Sequence, residues 1–229
     1  MSPRPECTVV LASASPRRRR LIEWLDIPVH LTAVDTPEEL DSPLASDPPA
    51  LACALAAEKA LAAAEAHGEG TLVLAFDTVV VLDDEVLGKP SDVPDAWRML
   101  RALSGRTHEV VTGVAILDPG AAAPSTFSVT TEVRMKSLSD CQIQAWMALG
   151  EFMGCAGAYN IEGQVAEVDL DECYQNVAGL PLCHLRAQLS SDSSACEILG
   201  SVRSPIAACD AALGRTCALG PRVVQAVAD

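Results

Sequence analysis

Basic residues are scarce in this sequence of 229 residues. Lys and Arg number 16 against 31 Asp and Glu, which gives a formal net charge of −15 at pH 7. A protein that binds duplex nucleic acid across its surface is usually basic, because neutralising phosphates supplies most of the affinity. Aromatic residues form 3% of the chain, so base stacking finds little support either. We expect no stable nucleic-acid partner, and any phosphate contact has to use a local basic patch.

Long apolar runs and paired cysteines are also missing. No run of about 18 apolar residues occurs, and residues 1–6 lack the apolar core of a secretory signal. The nine cysteines are scattered without CxxC pairs in a chain long enough to fold without disulfides. We expect a cytoplasmic protein with reduced, buried thiols and no membrane segment. The alternative of a metal site at Cys196, Cys209 and Cys217 fits no common zinc spacing.

Several catalytic motifs are absent. The sequence contains no GxSxG, no Walker A loop and no GxGxxG, which disfavours serine hydrolases, P-loop proteins and dinucleotide-binding folds. The four histidines have neither HxxxH nor HExxH spacing, so a histidine-based zinc site is not expected. The chemistry has to come from carboxylates, hydroxyls and the few basic residues.

The hydrophobic pattern predicts an α/β fold with a mixed sheet. Strand-like runs occupy residues 7–12, 29–34, 71–82, 85–87, 108–117 and 125–135. Helical patterns occupy residues 17–25, 50–67, 92–103, 139–149 and 181–189, and loops are predicted at 35–49 and 150–163. Strands and helices alternate first and adjacent strands follow later, as in mixed sheets. We predict a main domain at residues 1–189 and a C-terminal appendage at 190–229, and truncation after Leu189 should leave an active core.

Asp77 is the strongest single candidate for a catalytic residue. It is the one charge in residues 72–82 (LVLAFDTVVVL), a run that otherwise suits a core. Burying a lone carboxylate is costly unless a cation or hydrogen bonds compensate. Asp77 therefore either faces solvent from an edge strand or serves as a metal ligand or general base.

A dense basic segment follows the first predicted strand. Residues 13–20 (SASPRRRR) place Ser15 at the cap position and Pro16 at the start of a predicted helix. A helix start presents N–H groups to an anion, and arginine can bind phosphate through two hydrogen bonds. A helix spreads four successive arginines around its axis, so at most two can face one ligand. The alternative is a solvated charge run.

Lysine occurs three times in the sequence, and two of these lysines are site candidates. Lys89 follows the predicted hairpin that carries Asp77 and stands between a glycine and a proline, which restrict the backbone. Lys59 lies in the predicted helix at residues 50–67, where the alternative is a surface residue paired with Glu58. Each lysine is a weak signal by itself.

Short motifs along the chain resemble one family in their order and spacing. Residues 13–18 (SASPRR) resemble the SxSPRR opening of the Maf (septum formation protein) family of nucleoside triphosphate pyrophosphatases, and residues 75–78 (AFDT) resemble its GADT motif. The other matching segments are 58–60 (EKA), 88–90 (GKP), 103–105 (LSG) with 107–108 (TH), 112–113 (TG), 156–159 (AGAY) and 179–182 (GLPL). The resemblance covers about residues 7–189.

The resemblance implies a fold, an activity and a cofactor. The expected fold is α/β of the Maf/ITPase-like type, an elongated mixed sheet with flanking helices and a cleft between two lobes, usually as a homodimer. The expected reaction converts a nucleoside triphosphate to the monophosphate and pyrophosphate with Mg²⁺ or Mn²⁺, in the housekeeping of non-standard or surplus nucleotides. The alternatives are a 7-methyl-GTP-type pyrophosphatase and a non-catalytic regulator of septum formation that senses a nucleotide.

The resemblance also implies roles for individual residues. The catalytic acid falls on Asp77, and the metal would be held by Asp77 and Glu38. The implied substrate-binding residues are Ser13, Ser15, Arg17, Arg18, Lys59, Thr78, Lys89 and Glu162. Two departures from the family pattern are present: Glu38 follows a proline where the family usually has an Asp-Glu pair, and Phe76 replaces a small residue.

Three of these positions separate subgroups of the family, and here they are mixed. Arg17 and Thr78 resemble the subgroup that acts on dTTP and UTP, whereas Glu162 resembles the subgroup that acts on 7-methyl-GTP. A carboxylate only accepts hydrogen bonds and suits the N–H donors of guanine, whereas the usual Gln suits a pyrimidine edge. The alternative is that Glu162 faces solvent or pairs with an arginine. We expect broad or pyrimidine-leaning specificity.

Overall fold

The sheet is mixed, as the sequence predicts. A computed structural model describes residues 8–34, 36–37, 39–68 and 70–225. Its strands are β1 (Thr8–Ala12), β2 (His30–Thr32), β3 (Thr71–Leu82), β4 (Glu85–Leu87), β5 (Thr107–Leu117), β6 (Ser125–Met135) and β7 (Ala166–Glu167). They form one sheet in the order β2-β1-β3-β5-β6-β7, with β4 paired to β3. β1 pairs in parallel with β2 and β3, and the remaining pairs are antiparallel.

The helices flank this sheet. They are α1 (Pro16–Ile22), α2 (Pro48–His67), α3 (Val93–Leu103), α4 (Asp140–Ala148), α5 (Tyr174–Val177), α6 (Leu182–Ser191), α7 (Ser193–Leu199), α8 (Ile206–Leu213) and α9 (Leu219–Gln225). Within the ranges that the structure describes, no helix is both long and apolar enough to cross a bilayer. The predicted caps are confirmed at Ser15 and Ser139, whose side chains accept the backbone N–H groups of Arg18 and Gln142.

Helix α2 begins earlier than the sequence pattern predicts. The Asp47 side chain accepts the N–H of Ala50 at 3.1 Å, and prolines 48 and 49 occupy the first turn. Proline suits these positions, because the first N–H groups of a helix have no partner within it. The prediction of loop up to residue 49 was therefore two residues too long.

Close packing of α2 on the sheet positions the site. One face of β3 contacts small α2 residues, with Ala56 and Ala60 packed against Ala75. A Cβ at Gly113 of β5 would overlap the α2 backbone at Ala52. Glycine at this position therefore allows the helix axis to approach the sheet closely enough for side chains of α2 to reach the edge of β3.

The C-terminal helices pack on the body. Ala195 and Val202 are buried in the same core as the other face of β3. The backbone N–H of Arg203 donates to the carbonyl of Leu25 at 3.0 Å, and its guanidinium pairs with Asp26. Helix α6 runs past the predicted boundary at residue 189, so that boundary falls inside a helix. The division into a main domain and an appendage stays a prediction.

Candidate active site

A cleft opens where β3 loses its neighbour strand on one side. β1 pairs with β3 only as far as Ala75, and β4 begins to pair at Val80. Among the described residues, no strand covers that side of β3 between these two points, where Asp77 and Thr78 lie. The cleft has a volume of about 390 Å³, which is in the range of small-molecule sites.

The structure brings most of the predicted site residues together in this cleft. The predicted residues that line it are Ser13, Ser15, Arg17, Arg18, Lys59, Asp77, Thr78 and Lys89. Glu38 lies outside the described residues, so its predicted place as a metal ligand stays a prediction. Glu162 is not among the residues that line the cleft.

Asp77 and Lys59 form a buried ion pair in the cleft. Asp77 is 3% exposed and Lys59 is 8% exposed, and the Lys59 ammonium donates to Asp77 Oδ1. The alternatives of a solvent-facing Asp77 and of a surface Lys59 paired with Glu58 are therefore wrong. Removing two charges from water is costly, and the pair persists because each charge compensates the other.

The four arginines of α1 point to different partners, as their helical spacing predicts. Arg17 lines the cleft, where it lies beside the Cys155 thiol. Arg19 donates from Nε and Nη2 to the carbonyl of Ser13, at 3.3 Å each. Arg20 pairs with Glu162 at 2.7 Å on the surface. The arginine side chains of this segment therefore lie in the cleft, on the local backbone and in a surface ion pair.

Arg18 contacts three separate parts of the cleft wall. Its Nε donates to the carbonyl of Gly179 at 2.7 Å, and its Nη1 donates to the carbonyl of Phe76 at 2.9 Å. Its Nη2 donates to Thr78 Oγ1 at 2.8 Å. Gly179 has a φ of +93°, and a Cβ there would lie 3.1 Å from Arg18 Nε. Arg18 thus joins α1, the uncovered edge of β3 and the segment before α6.

A chain of polar groups continues from Thr78 into the interior. Thr78 Oγ1 lies 2.9 Å from Oγ1 of Thr112 on β5, and Thr112 Oγ1 donates to the Asn176 carbonyl at 3.1 Å. The Asn176 amide nitrogen donates to the carbonyls of Val110 and Val129, at 3.1 and 2.9 Å. Asn176 therefore anchors α5 to the sheet, and the hydroxyl of Thr78 is connected to that anchor.

Two titratable residues among the described lining of the cleft were missed by the site prediction. Tyr159 lines the cleft, and its hydroxyl lies 2.7 Å from Nε2 of His108. Burial lowers the pKa of His108 to about 4, so this ring is neutral at physiological pH. Cys155 also lines the cleft, and burial raises the pKa of its thiol against the effect of Arg17. Tyr159 falls in the AGAY segment and could have been found, whereas no sequence signal pointed to Cys155.

The carboxylates that line the cleft indicate how it could bind a divalent metal ion. Its described lining contains one carboxylate, that of Asp77. In the part of the chain that the structure describes, no group of three or more His, Cys, Asp or Glu is arranged to hold a metal. Mg²⁺ is usually bound by one or two carboxylates together with substrate phosphates and water. The residues present therefore fit an ion that takes most of its ligands from a phosphate substrate.

Comparisons with known proteins find chains that are similar to this one. The dTTP/UTP pyrophosphatase of Geobacter metallireducens is 45% identical over 180 residues, which are 77% of this chain and 92% of that protein. The dTTP/UTP pyrophosphatase of Xanthomonas euvesicatoria is 44% identical over 184 residues, which are 79% of this chain and 96% of that protein. The solved structure of the Staphylococcus aureus Ham1 protein overlaps with a TM-score of 0.36 and 14% identity, over 56% of this chain and 71% of that chain.

A family model confirms the resemblance that the motifs indicate. The model, described as Maf-like protein, matches residues 8–191. This range contains all the described residues that line the cleft. The chain belongs to the Maf-like protein family.

Proposed function

We propose that the chain hydrolyses dTTP and UTP to the nucleoside monophosphate and pyrophosphate, with a divalent metal ion, in the cleft at the edge of β3. Relatives at 40–45% identity are dTTP/UTP pyrophosphatases, and the chain is accordingly an enzyme that hydrolyses nucleoside triphosphates. The observation that carries the proposal is the buried Asp77–Lys59 pair, placed in a cleft that is otherwise rich in cationic side chains.

The cleft has the charge that a triphosphate needs. A nucleoside triphosphate carries about four negative charges, and attack at phosphorus is assisted by cations that stabilise the charge in the transition state. Arg17 and Lys89 line the cleft beside the Lys59–Asp77 pair. These side chains form a local basic patch in a protein whose net charge is −15. The overall acidity is therefore no obstacle to an anionic substrate.

Among the described residues that line the cleft, Asp77 carries the one carboxylate, which can take a proton from water. Its carboxylate accepts a hydrogen bond from the Lys59 ammonium, and this contact holds the carboxylate in one orientation. A positioned general base typically contributes 10²- to 10⁴-fold to a rate. A divalent ion held by Asp77, and by Glu38 as predicted, would neutralise phosphate charge when bound. Lys59 then acts as a positioning residue for the base.

Release of pyrophosphate from a panel of triphosphates tests the proposal. The panel contains dTTP, UTP, CTP, GTP and 7-methyl-GTP, each with Mg²⁺, with Mn²⁺ and with a chelator. We expect the highest kcat/KM for dTTP and UTP, and loss of turnover with the chelator. Absence of pyrophosphate from every substrate, with nucleotide binding retained, would contradict the proposal and favour a nucleotide-sensing regulator.

We also propose that the chain forms a homodimer. Light scattering of the purified chain measures its molar mass in solution and tests this proposal.

A further inference from the structure

The hydroxyl of Thr78 has a defined hydrogen-bond direction. Arg18 can only donate, so Thr78 Oγ1 accepts from Nη2 at 2.8 Å. Thr112 has one hydroxyl hydrogen, and it is directed at the Asn176 carbonyl at 3.1 Å. The contact of 2.9 Å between the two hydroxyls therefore requires Thr78 to donate and Thr112 to accept. The hydrogen of Thr78 points inward, to Thr112.

This direction determines what Thr78 can offer to a ligand. A hydroxyl has one hydrogen and two lone pairs. The hydrogen is used by Thr112 and one lone pair is used by Arg18, which leaves one lone pair on Thr78. Thr78 is half-buried and lines the cleft. It therefore presents a hydrogen-bond acceptor to the cleft and no donor.

Thr78 and the catalytic candidate Asp77 belong to different faces of β3. Successive side chains of a strand point to opposite faces, and Asp77 contacts Lys59 of α2 whereas Thr78 contacts Arg18 and Thr112. Apolar residues that line the cleft on other elements include Val110 and Val177. The face of β3 that carries Thr78 thus offers the Arg18 guanidinium beside the hydroxyl, and the cleft wall adds apolar side chains; both kinds of group can pack on a nucleobase.

We propose that Thr112 is a positioning residue that makes Thr78 an acceptor for the N3–H group of a uracil or thymine base. The inference rests on the proposed function, because it concerns the bases of UTP and dTTP. N3–H is the one hydrogen-bond donor on these two bases once N1 carries the sugar. Cytosine has a lone pair at N3, which would face the remaining lone pair of Thr78. Thr112, fully buried on β5, acts on substrate choice through Thr78 and without contacting the substrate.

The test compares kcat/KM for UTP and CTP in the full-length wild type and in Thr112→Val. Valine has nearly the shape of threonine but accepts no hydrogen bond, so the Thr78 hydroxyl becomes able to turn and donate into the cleft. We expect the UTP/CTP ratio to fall about tenfold, the effect of roughly one hydrogen bond. The change should appear mainly as a higher KM for UTP, because a contact with the base is made equally before and during the reaction.

Thr112→Ser is the matched control, because serine keeps the hydroxyl and should retain the wild-type ratio. A purely structural role of Thr112 would lower the activity on UTP and CTP in parallel, so the ratio separates the two explanations. An unchanged ratio in Thr112→Val, or a wild-type ratio near one, would overturn the inference while leaving the hydrolytic activity intact. Absence of turnover by the wild type would instead reject the proposed function.

A second variant decides the question if Thr112→Val does not fold, as judged by circular dichroism. Thr78→Val removes the proposed acceptor itself and should reduce kcat/KM for UTP more than that for CTP. Equal losses on both substrates would overturn the inference.

Discussion

Two hollows of this molecule differ in almost every physical respect. The cleft at the edge of β3 has a volume of about 390 Å³ and is lined by charged and hydroxyl side chains. The second hollow lies between the C-terminal helices and the body and has a volume of about 20 Å³, which is room for about one water molecule. It is lined largely by apolar residues and by the thiols of Cys173, Cys183, Cys209 and Cys217.

The difference shows how polar groups distinguish a binding site from packing. In the cleft, a charged pair is kept out of water and hydroxyls are held in one direction by hydrogen bonds within the protein. Buried polar groups are costly unless they are paired in this way, and they cluster at functional sites. In the second hollow, burial raises the pKa of Cys173 and of Cys183 to about 12 each. Thiols in this state behave as small apolar side chains. The second hollow therefore has the character of a core.

Replacement of Asp77 should lower the activity more than any other change proposed below. Such a loss would distinguish the cleft, as the catalytic site, from the second hollow. We expect Asp77→Asn to lower kcat by about 10²- to 10⁴-fold, because a positioned acid–base group is removed. Asp84→Asn is the matched control, since Asp84 lies exposed in the β3–β4 turn at a φ of 65°, which asparagine tolerates. A rate close to that of the wild type for Asp77→Asn at saturating metal would show that the catalytic group is elsewhere.

The thiols of the second hollow should resist modification. At pH 8 a pKa of about 12 for Cys173 and Cys183 leaves roughly one thiolate in 10⁴, about 10³-fold less than in the unfolded chain. A disulfide reagent should therefore modify the exposed Cys141 quickly and these two slowly. Peptide mass spectrometry over time measures the rates.

The same raised pKa values predict how stability depends on pH. The unfolded thiols ionise near pH 9 and the folded ones near pH 12, so the folded chain binds these protons more tightly. Stability should be intact below pH 9 and should fall as the pH rises towards 12, as urea unfolding would measure. Rapid labelling of Cys173 in the folded protein, or no alkaline loss of stability, would contradict the description of this hollow as core.

Removal of the C-terminal helices should lower the stability of the protein but leave its activity in place. Deleting residues 192–229 exposes the surface that Ala195 and Val202 cover, and we expect a loss of roughly 2–4 kcal/mol of unfolding free energy. Turnover should be retained below the lowered Tm, because no residue after Gly179 is among the described lining of the cleft. Thermal unfolding and pyrophosphate release measure the two effects, and inactivity of the folded truncated chain would disprove this separation.

The smallest change in activity is expected from substitution of Glu162. Its carboxylate pairs with Arg20, and both side chains are about half exposed, a situation that typically contributes about 0–1 kcal/mol. Glu162→Gln should change the ratio of kcat/KM for UTP and GTP by less than about threefold, and Arg20→Ala should be similarly mild. A larger shift in this ratio would indicate that Glu162 contributes to recognition of the nucleobase.

Much of the fold could be predicted because it depends on short-range patterns. The alternation in residues 125–135, the caps at Ser15 and Ser139, and the charge of Asp77 within an apolar run are all local features. Strand β7 has two residues and α5 has four, and these elements are too short for a periodic pattern. They exist because β6 and the Asn176 anchor provide their partners.

The sequence by itself determined which residue types are available for chemistry and which segments become strands and helices, because periodicity and capping act over a few residues. Only the tertiary structure decided their partners. The Lys59–Asp77 pair depends on the close approach of α2 over Gly113, and the link from Thr112 to Asn176 spans 64 residues of chain. Contacts of this kind follow from sheet register and helix packing, so no local pattern in the sequence encodes them.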